Sequence, residues 1–137
     1  MPPAALRSLI EHADRLINAG AFDALMDCYT DDAVMIIRPG SSATGKVQIR
    51  QAFKAIAEHF EQGLQVSQQA VQEIIAGDTA LVLAETRIRS GESTWLRHAT
   101  YVYRREADGQ WRCAVDNSYG TSLLDPAQAA RSEGETR

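Results

Sequence analysis

The chain has 137 residues, of which 45% are hydrophobic and 23% charged, and its formal net charge is −4. That is the composition of an ordinary globular domain, long enough to bury roughly two-thirds of its unfolded surface in a single core. The absence of a Lys/Arg run argues against a nucleic-acid partner, no apolar stretch reaches the ~18 residues of a membrane span, and the N-terminus lacks a signal-peptide pattern, so a cytoplasmic protein is expected.

Leu6, Leu9, Ile10, Ala13, Leu16 and Ile17 recur at three- and four-residue spacing, which predicts an amphipathic helix that Gly20 is placed to end. Phe22, Leu25, Met26 and Tyr29 predict a second, short helix. Asp31 and Asp32 then fall at a helix-to-strand junction, where turn and capping duty is the natural reading. "AVMII" follows as a brief strand, and "RPGSSATG" as a loop in which Ser41, Ser42 and Thr44 are placed to cap the next helix. That third helix runs from about Lys46 to Glu61, with Ile49, Phe53, Ile56 and Phe60 on one stripe.

After Gly63 the pattern changes to long extended runs: residues 64–76, a turn at Gly77-Asp78, residues 79–89, a turn at Ser90-Gly91-Glu92, and two final strands. The result is an α+β layout: three helices and short N-terminal strands, then a four-strand antiparallel meander whose curved, concave face the helices must cover. A single domain over residues 1–124 is expected, with residues 125–137 as a tail that frays. Cys28 and Cys113 fit no metal spacing and are expected as free thiols. His12 and His59 have no second ligand at i+4. No metal site and no cofactor is therefore expected.

The last two runs, "TWLRHATYVYRRE" and "QWRCAVDNSYG", are joined through Asp108-Gly109, a strong hairpin signal. A two-residue turn there sets Ala107 opposite Gln110, Tyr103 opposite Ala114, Tyr101 opposite Asp116 and Ala99 opposite Ser118. Alternation along the strands then gathers Trp95, Arg97, Tyr101, Tyr103, Asp116 and Ser118 on the inner face. Asp116 reads either as a general acid or base, its pKa raised by burial and lowered by a nearby Arg97, or as a strut accepting hydrogen bonds from Tyr101, Ser118 or loop amides. Tyr101 reads as a donor to a ligand carbonyl or as an amphipathic core residue. Arg97 would clamp a ligand carboxylate or pair with Asp116 or Glu85. Trp95 would gate the pocket or cap the core, Ser118 would add a polar contact, and Tyr103 is the one nearest the narrow end. On the outer face, His98 joins Leu96, Val102, Trp111, Cys113 and Val115, an apolar strip suited to a dimer interface.

"LINAGAFDALMDCYTDDAVMI", "GKVQIRQAFKAI" and the meander ending "DGQWRCAVDNSYG" together resemble the nuclear-transport-factor-2-like superfamily, in its SnoaL-like and ketosteroid-isomerase-like branch; the resemblance covers residues 5–124. It implies a cone-shaped α+β barrel, also termed cystatin-like, with a pocket at the wide end for a small apolar or carbonyl-containing ligand, and a homodimer through the convex face. It also implies where an isomerase would carry its machinery. Ile37 stands at the position of the base, Ala13 at that of the helix tyrosine and Tyr101 at that of the protonated aspartic acid, so steroid isomerisation by those residues is not expected. Nor is the Asp–Arg–Asp set of a limonene-epoxide-hydrolase-like site complete, because Ala99 follows Arg97 where a carboxylate is required. What remains is a cofactor-free acid–base enzyme of isomerase, cyclase or dehydratase class, with Asp116 and Tyr101 as catalytic groups, or a non-catalytic ligand-binding or assembly module of the same fold.

Overall fold

A computed structural model describes residues 5–60 and 62–125; the expected fraying from residue 126 onward lies outside these. Helix α1 (Ala5–Ala19) ends at Gly20, whose φ of +70° suits only glycine without strain. There the N–H of Gly20 donates to the Ile17 carbonyl at 3.1 Å and that of Ala21 to the Leu16 carbonyl at 2.9 Å, a Schellman closure. The short helix α2 (Phe22–Leu25) and a 3-10 turn (Met26–Cys28) lead into β1 (Tyr29–Arg38). The tight return at Pro39-Gly40 gives β2 (Ser41–Thr44), and α3 (Gly45–His59) follows. The meander is β3 (Gln65–Ala76), β4 (Thr79–Ser90), β5 (Ser93–Arg105) and β6 (Trp111–Asn117), closed by a 3-10 turn at Gly120–Leu124.

The strand order is β2-β1-β6-β5-β4-β3. The meander is antiparallel as expected, but β1 lies parallel to β6, so the sheet is mixed. β1 is also longer than "AVMII" suggests. Asp31 and Asp32 belong to it rather than to a junction: Asp31 pairs with Lys46 at 3.4 Å and Asp32 with Arg104 at 3.0 Å. No side chain of Ser41, Ser42 or Thr44 caps α3; instead the Gln48 side chain accepts from the Thr44 N–H at 2.9 Å.

Helices α1 and α3 cover one face of the sheet, α1 against β3 and α3 against β1. Between them sits a core built on Leu6, Ile10, Leu25, Ile49, Phe53 and Val82. On β4 the pleat puts Ala80, Val82, Ala84 and Thr86 inward and leaves Leu81 and Leu83 outward. β3 is a free edge, and Asn18 at the end of α1 secures its start. The side-chain amide donates to the Val66 carbonyl at 3.1 Å and accepts from the Val66 N–H at 2.7 Å.

The β5–β6 hairpin departs from the expected geometry twice. Its loop has three residues, Ala107-Asp108-Gly109, with the Glu106 N–H donating to the Gln110 carbonyl at 2.9 Å and Gly109 at φ +81°. Arg112 staples this loop, donating to Asp108 at 3.0 and 2.9 Å and to Glu106 at 2.9 Å. Tyr103 therefore faces Cys113, not Ala114. A bulge between Cys113 and Val115, where the Cys113 thiol donates to the Val115 carbonyl at 3.3 Å, then restores the register, and Tyr101 does face Asp116. The same bulge corrects the expected outer strip. Trp111, 6% exposed, and Cys113, 3% exposed, lie in the core beside Tyr103, whereas Leu96 and Val115 stay outside.

Candidate functional site

Between the helices and the inner face of the sheet lies a cavity of about 210 Å³. Met35, Ile37, Phe53, Ile56, Leu64 and Ile88 make its walls largely apolar. At one end Trp95 lies against Phe60 from the close of α3, ring centroids 5.9 Å apart, so Trp95 forms part of the cavity wall. The polar lining groups include Asp14, Thr86, Arg97, Tyr101, Asp116, Ser118 and Tyr119. Asn117 ends β6 with an Asx turn, its side chain accepting from the Tyr119 N–H at 3.1 Å and donating to the Gly120 carbonyl at 3.2 Å. That turn brings Ser118 and Tyr119 round to the cavity.

Asp116 reaches the inner face as expected. Its Oδ2 accepts from the Tyr29 phenol at 2.6 Å. Burial pushes its carboxyl above the usual carboxylate range, and the Tyr29 hydrogen bond opposes that shift. Tyr101 stands beside it, its phenol raised chiefly by burial and then by the Asp116 charge.

Asp14, on α1, is the cavity carboxyl that reading by apolar stripe misses. It is 8% exposed and lines the same cavity. The Gln68 side-chain amide donates to its Oδ2 at 3.0 Å, while the Oε1 of the same amide accepts from the Thr86 hydroxyl at 2.9 Å. A bulge in β3 just after Gln68 sets the register that presents this amide inward. Burial, with smaller contributions from Asp116 and Glu11, pushes the Asp14 carboxyl up to about 7 against the opposing Gln68 bond. The available signal was positional: a carboxylate four residues after Ile10 and three before Ile17 interrupts the buried stripe of an otherwise regular amphipathic helix. Ala13, the position matched to an isomerase's helix tyrosine, is its immediate neighbour.

The remaining expected residues divide. Arg97 lines the cavity, but it pairs with neither Asp116 nor Glu85 among the described residues. Its guanidinium carbon sits 4.3 Å from the centre of the Tyr119 ring, and Glu85 meets His98 on the outer face at 3.4 Å. Ser118 lines the cavity. Tyr103 does not: it is buried in the core on the hairpin side of Tyr101, the two rings 6.5 Å apart. Cys28 and Cys113 are free thiols, both raised by burial, which makes them poor nucleophiles. Among the described residues no three His, Cys, Asp or Glu side chains converge on a metal site, and no described helix is long and apolar enough to cross a membrane.

A helix-covered curved sheet with a lined cavity is the architecture of the SnoaL-like domain. The model of that family matches residues 10–114, and the chain belongs to the family. Solved structures agree on the fold. An NTF2-like protein of unknown function from Pseudomonas putida KT2440 is 21% identical, with a TM-score of 0.74 over 83% of this chain and 82% of that one. An NTF2-like protein with a cystatin-like fold from Novosphingobium aromaticivorans is 21% identical, with a TM-score of 0.71 over 93% and 84%. A protein of the NTF2-like family from Streptomyces avermitilis, described as a candidate dehydratase, is 22% identical, with a TM-score of 0.68 over 83% and 91%. No curated protein matches the sequence significantly.

Proposed function

We propose that the chain is a cofactor-independent acid–base enzyme of isomerase, cyclase or dehydratase class, acting on a small apolar compound that carries a carbonyl group. One observation carries this reading: two carboxyl groups, Asp14 and Asp116, share one largely apolar cavity, and burial lifts both above their ordinary range. Near neutrality Asp14 is poised to take a proton from a carbon next to the carbonyl. Asp116, whose carboxyl burial raises above its ordinary range, supplies a hydrogen bond when protonated, and the Tyr101 phenol another, to the oxygen on which charge develops. Arg97 and Ser118 orient the rest of the molecule, and Trp95 shields it from water. Tyr103 drops out of the site, and Tyr29, which steadies Asp116, enters it as a positioning residue.

The same reading has the protein working in the cytoplasm, where Cys28 and Cys113 stay reduced, as a homodimer through the outer sheet face. Ile74, Leu81, Val102 and Val115 form a continuous row there across four strands. A non-catalytic ligand carrier uses the same cavity without turnover. Proton exchange separates the two. 1-Tetralone incubated in deuterated buffer should lose its α-protons faster with the protein than without it, and Asp14→Asn should abolish the excess rate. Exchange at the buffer rate in the wild type would remove the enzyme reading and leave the carrier.

A further inference from the structure

We propose that the ligand of this cavity bears an anionic group, of carboxylate type, that sits on Arg97 at a distance of about one or two rings from the carbonyl handled by Asp14 and Asp116. The inference rests on the reading of the cavity as a small-molecule site, and goes beyond it in naming the charge of the molecule.

No carboxylate among the described residues serves Arg97 as a counter-ion. Arg50, Arg104, Arg105 and Arg112 each meet a carboxylate. Arg97, half-buried in the cavity wall, meets none among the described residues. The acids that might have served are otherwise engaged. Glu85 points outward to His98, Asp116 accepts from Tyr29 and Asp14 from Gln68. Burial disfavours the charged form of both cavity acids. A partly desolvated cation with no partner among the described residues is costly, and a cavity that keeps one is set up to receive its anion from the ligand.

The geometry suits that role. The Arg97 guanidinium carbon lies over the Tyr119 ring, a cation–π contact that uses none of the N–H groups with which an arginine grips a carboxylate in bidentate fashion. Arg97 stands in register with Thr86 on β4, and Thr86 with Gln68 on β3. The backbones of Arg97 and of Gln68, whose amide holds Asp14, are thus two strand spacings apart, about 10 Å. A cavity of about 210 Å³ with apolar walls fits one or two rings in that span, which makes an aromatic or alicyclic keto acid the matching class.

Two compounds with the same ring system test this by isothermal titration: 2-naphthoate, which is anionic, and 2-acetylnaphthalene, a neutral ketone. The wild type should bind 2-naphthoate about tenfold more tightly than the ketone. Arg97→Gln should erase that preference by weakening 2-naphthoate about tenfold, and Arg97→Lys should restore part of it. Circular dichroism of each variant confirms that it is folded. Equal binding of the two compounds by the wild type, or naphthoate affinity unchanged in Arg97→Gln, overturns the inference while leaving the small-molecule site standing. Failure of both compounds to bind overturns the site and the inference together.

Discussion

Tyr29, the first residue of β1, donates its phenol proton to Oδ2 of Asp116 on β6 across 2.6 Å. The bond joins the hydroxyl of a buried tyrosine to a carboxyl in the cavity lining and gives one of its oxygens a partner. It also restrains the upward shift that burial imposes on Asp116.

Replacing Tyr29 with Phe removes the donor and leaves Asp116 short of a partner in a dry setting. The variant should lose about 1–3 kcal/mol of stability at neutral pH. Because Asp116 then ionises still less readily, the deficit should narrow as pH falls through its titration. Urea unfolding of both proteins over a pH series reads this directly, and a deficit constant with pH would show that the bond does not bear on the charge of Asp116.

Asp14 supplies a pH signature with a definite sign. Its carboxyl binds a proton more tightly in the folded chain, at about 7, than in the unfolded chain, at 3.8. The folded state therefore gains fully below the lower value and loses that gain as pH rises toward the upper one. Stability should decline across this window, by at most about 1.4 kcal/mol per pH unit from this one group. Asp14→Asn should flatten the decline and be the more stable protein above pH ~8. A slope identical in both proteins would refute the assignment.

Gly120 adopts φ +54°, and a β-carbon added there would collide with the backbone carbonyl oxygen of His98. The residue follows Tyr119, the platform for Arg97. Gly120→Ala should cost about 2–3 kcal/mol in denaturant unfolding and weaken ligand binding through the displaced platform. Wild-type stability in this variant would mean that the close approach of the turn to β5 is not required.

On the outer face, Ile74 is 50% and Leu81 40% exposed, within a row that continues through Val102 to Val115. Light scattering after size exclusion should give twice the 15.0 kDa chain mass at micromolar concentration, and Leu81→Arg should give the monomer. A monomeric wild type would end the proposed dimer.

How far the fold and site could be read in advance depended on which signal each element rests on. The meander was legible because Gly77-Asp78 and Asp108-Gly109 punctuate long runs, and each turn falls where those residues stand. The pairing of Tyr101 with Asp116 was anticipated for an incomplete reason. The loop is one residue longer than expected and a bulge adds one residue to β6, so the two departures cancel beyond Ala114 and leave a visible error only between them, at Trp111 and Cys113. A bulge has no marker in single-sequence alternation, because Cys113 and Ala114 are both small enough to face either way. Asp14 escapes for a different reason: the helix is read from its apolar positions, and a stripe read that way is blind to the one carboxyl embedded in it. The cavity itself depends on how far the sheet curves away from α1 and α3, a long-range property that local spacing does not encode.

The amide of Asn18 occupies both hydrogen-bonding groups of Val66 on the outermost strand, and so imitates a seventh strand one residue wide. Where an open margin invites stray β-rich segments to zip on and seed fibres, this protein presents a margin whose first rung is already occupied from within. Loss of that side chain would expose not a binding surface but a template for self-propagating assembly.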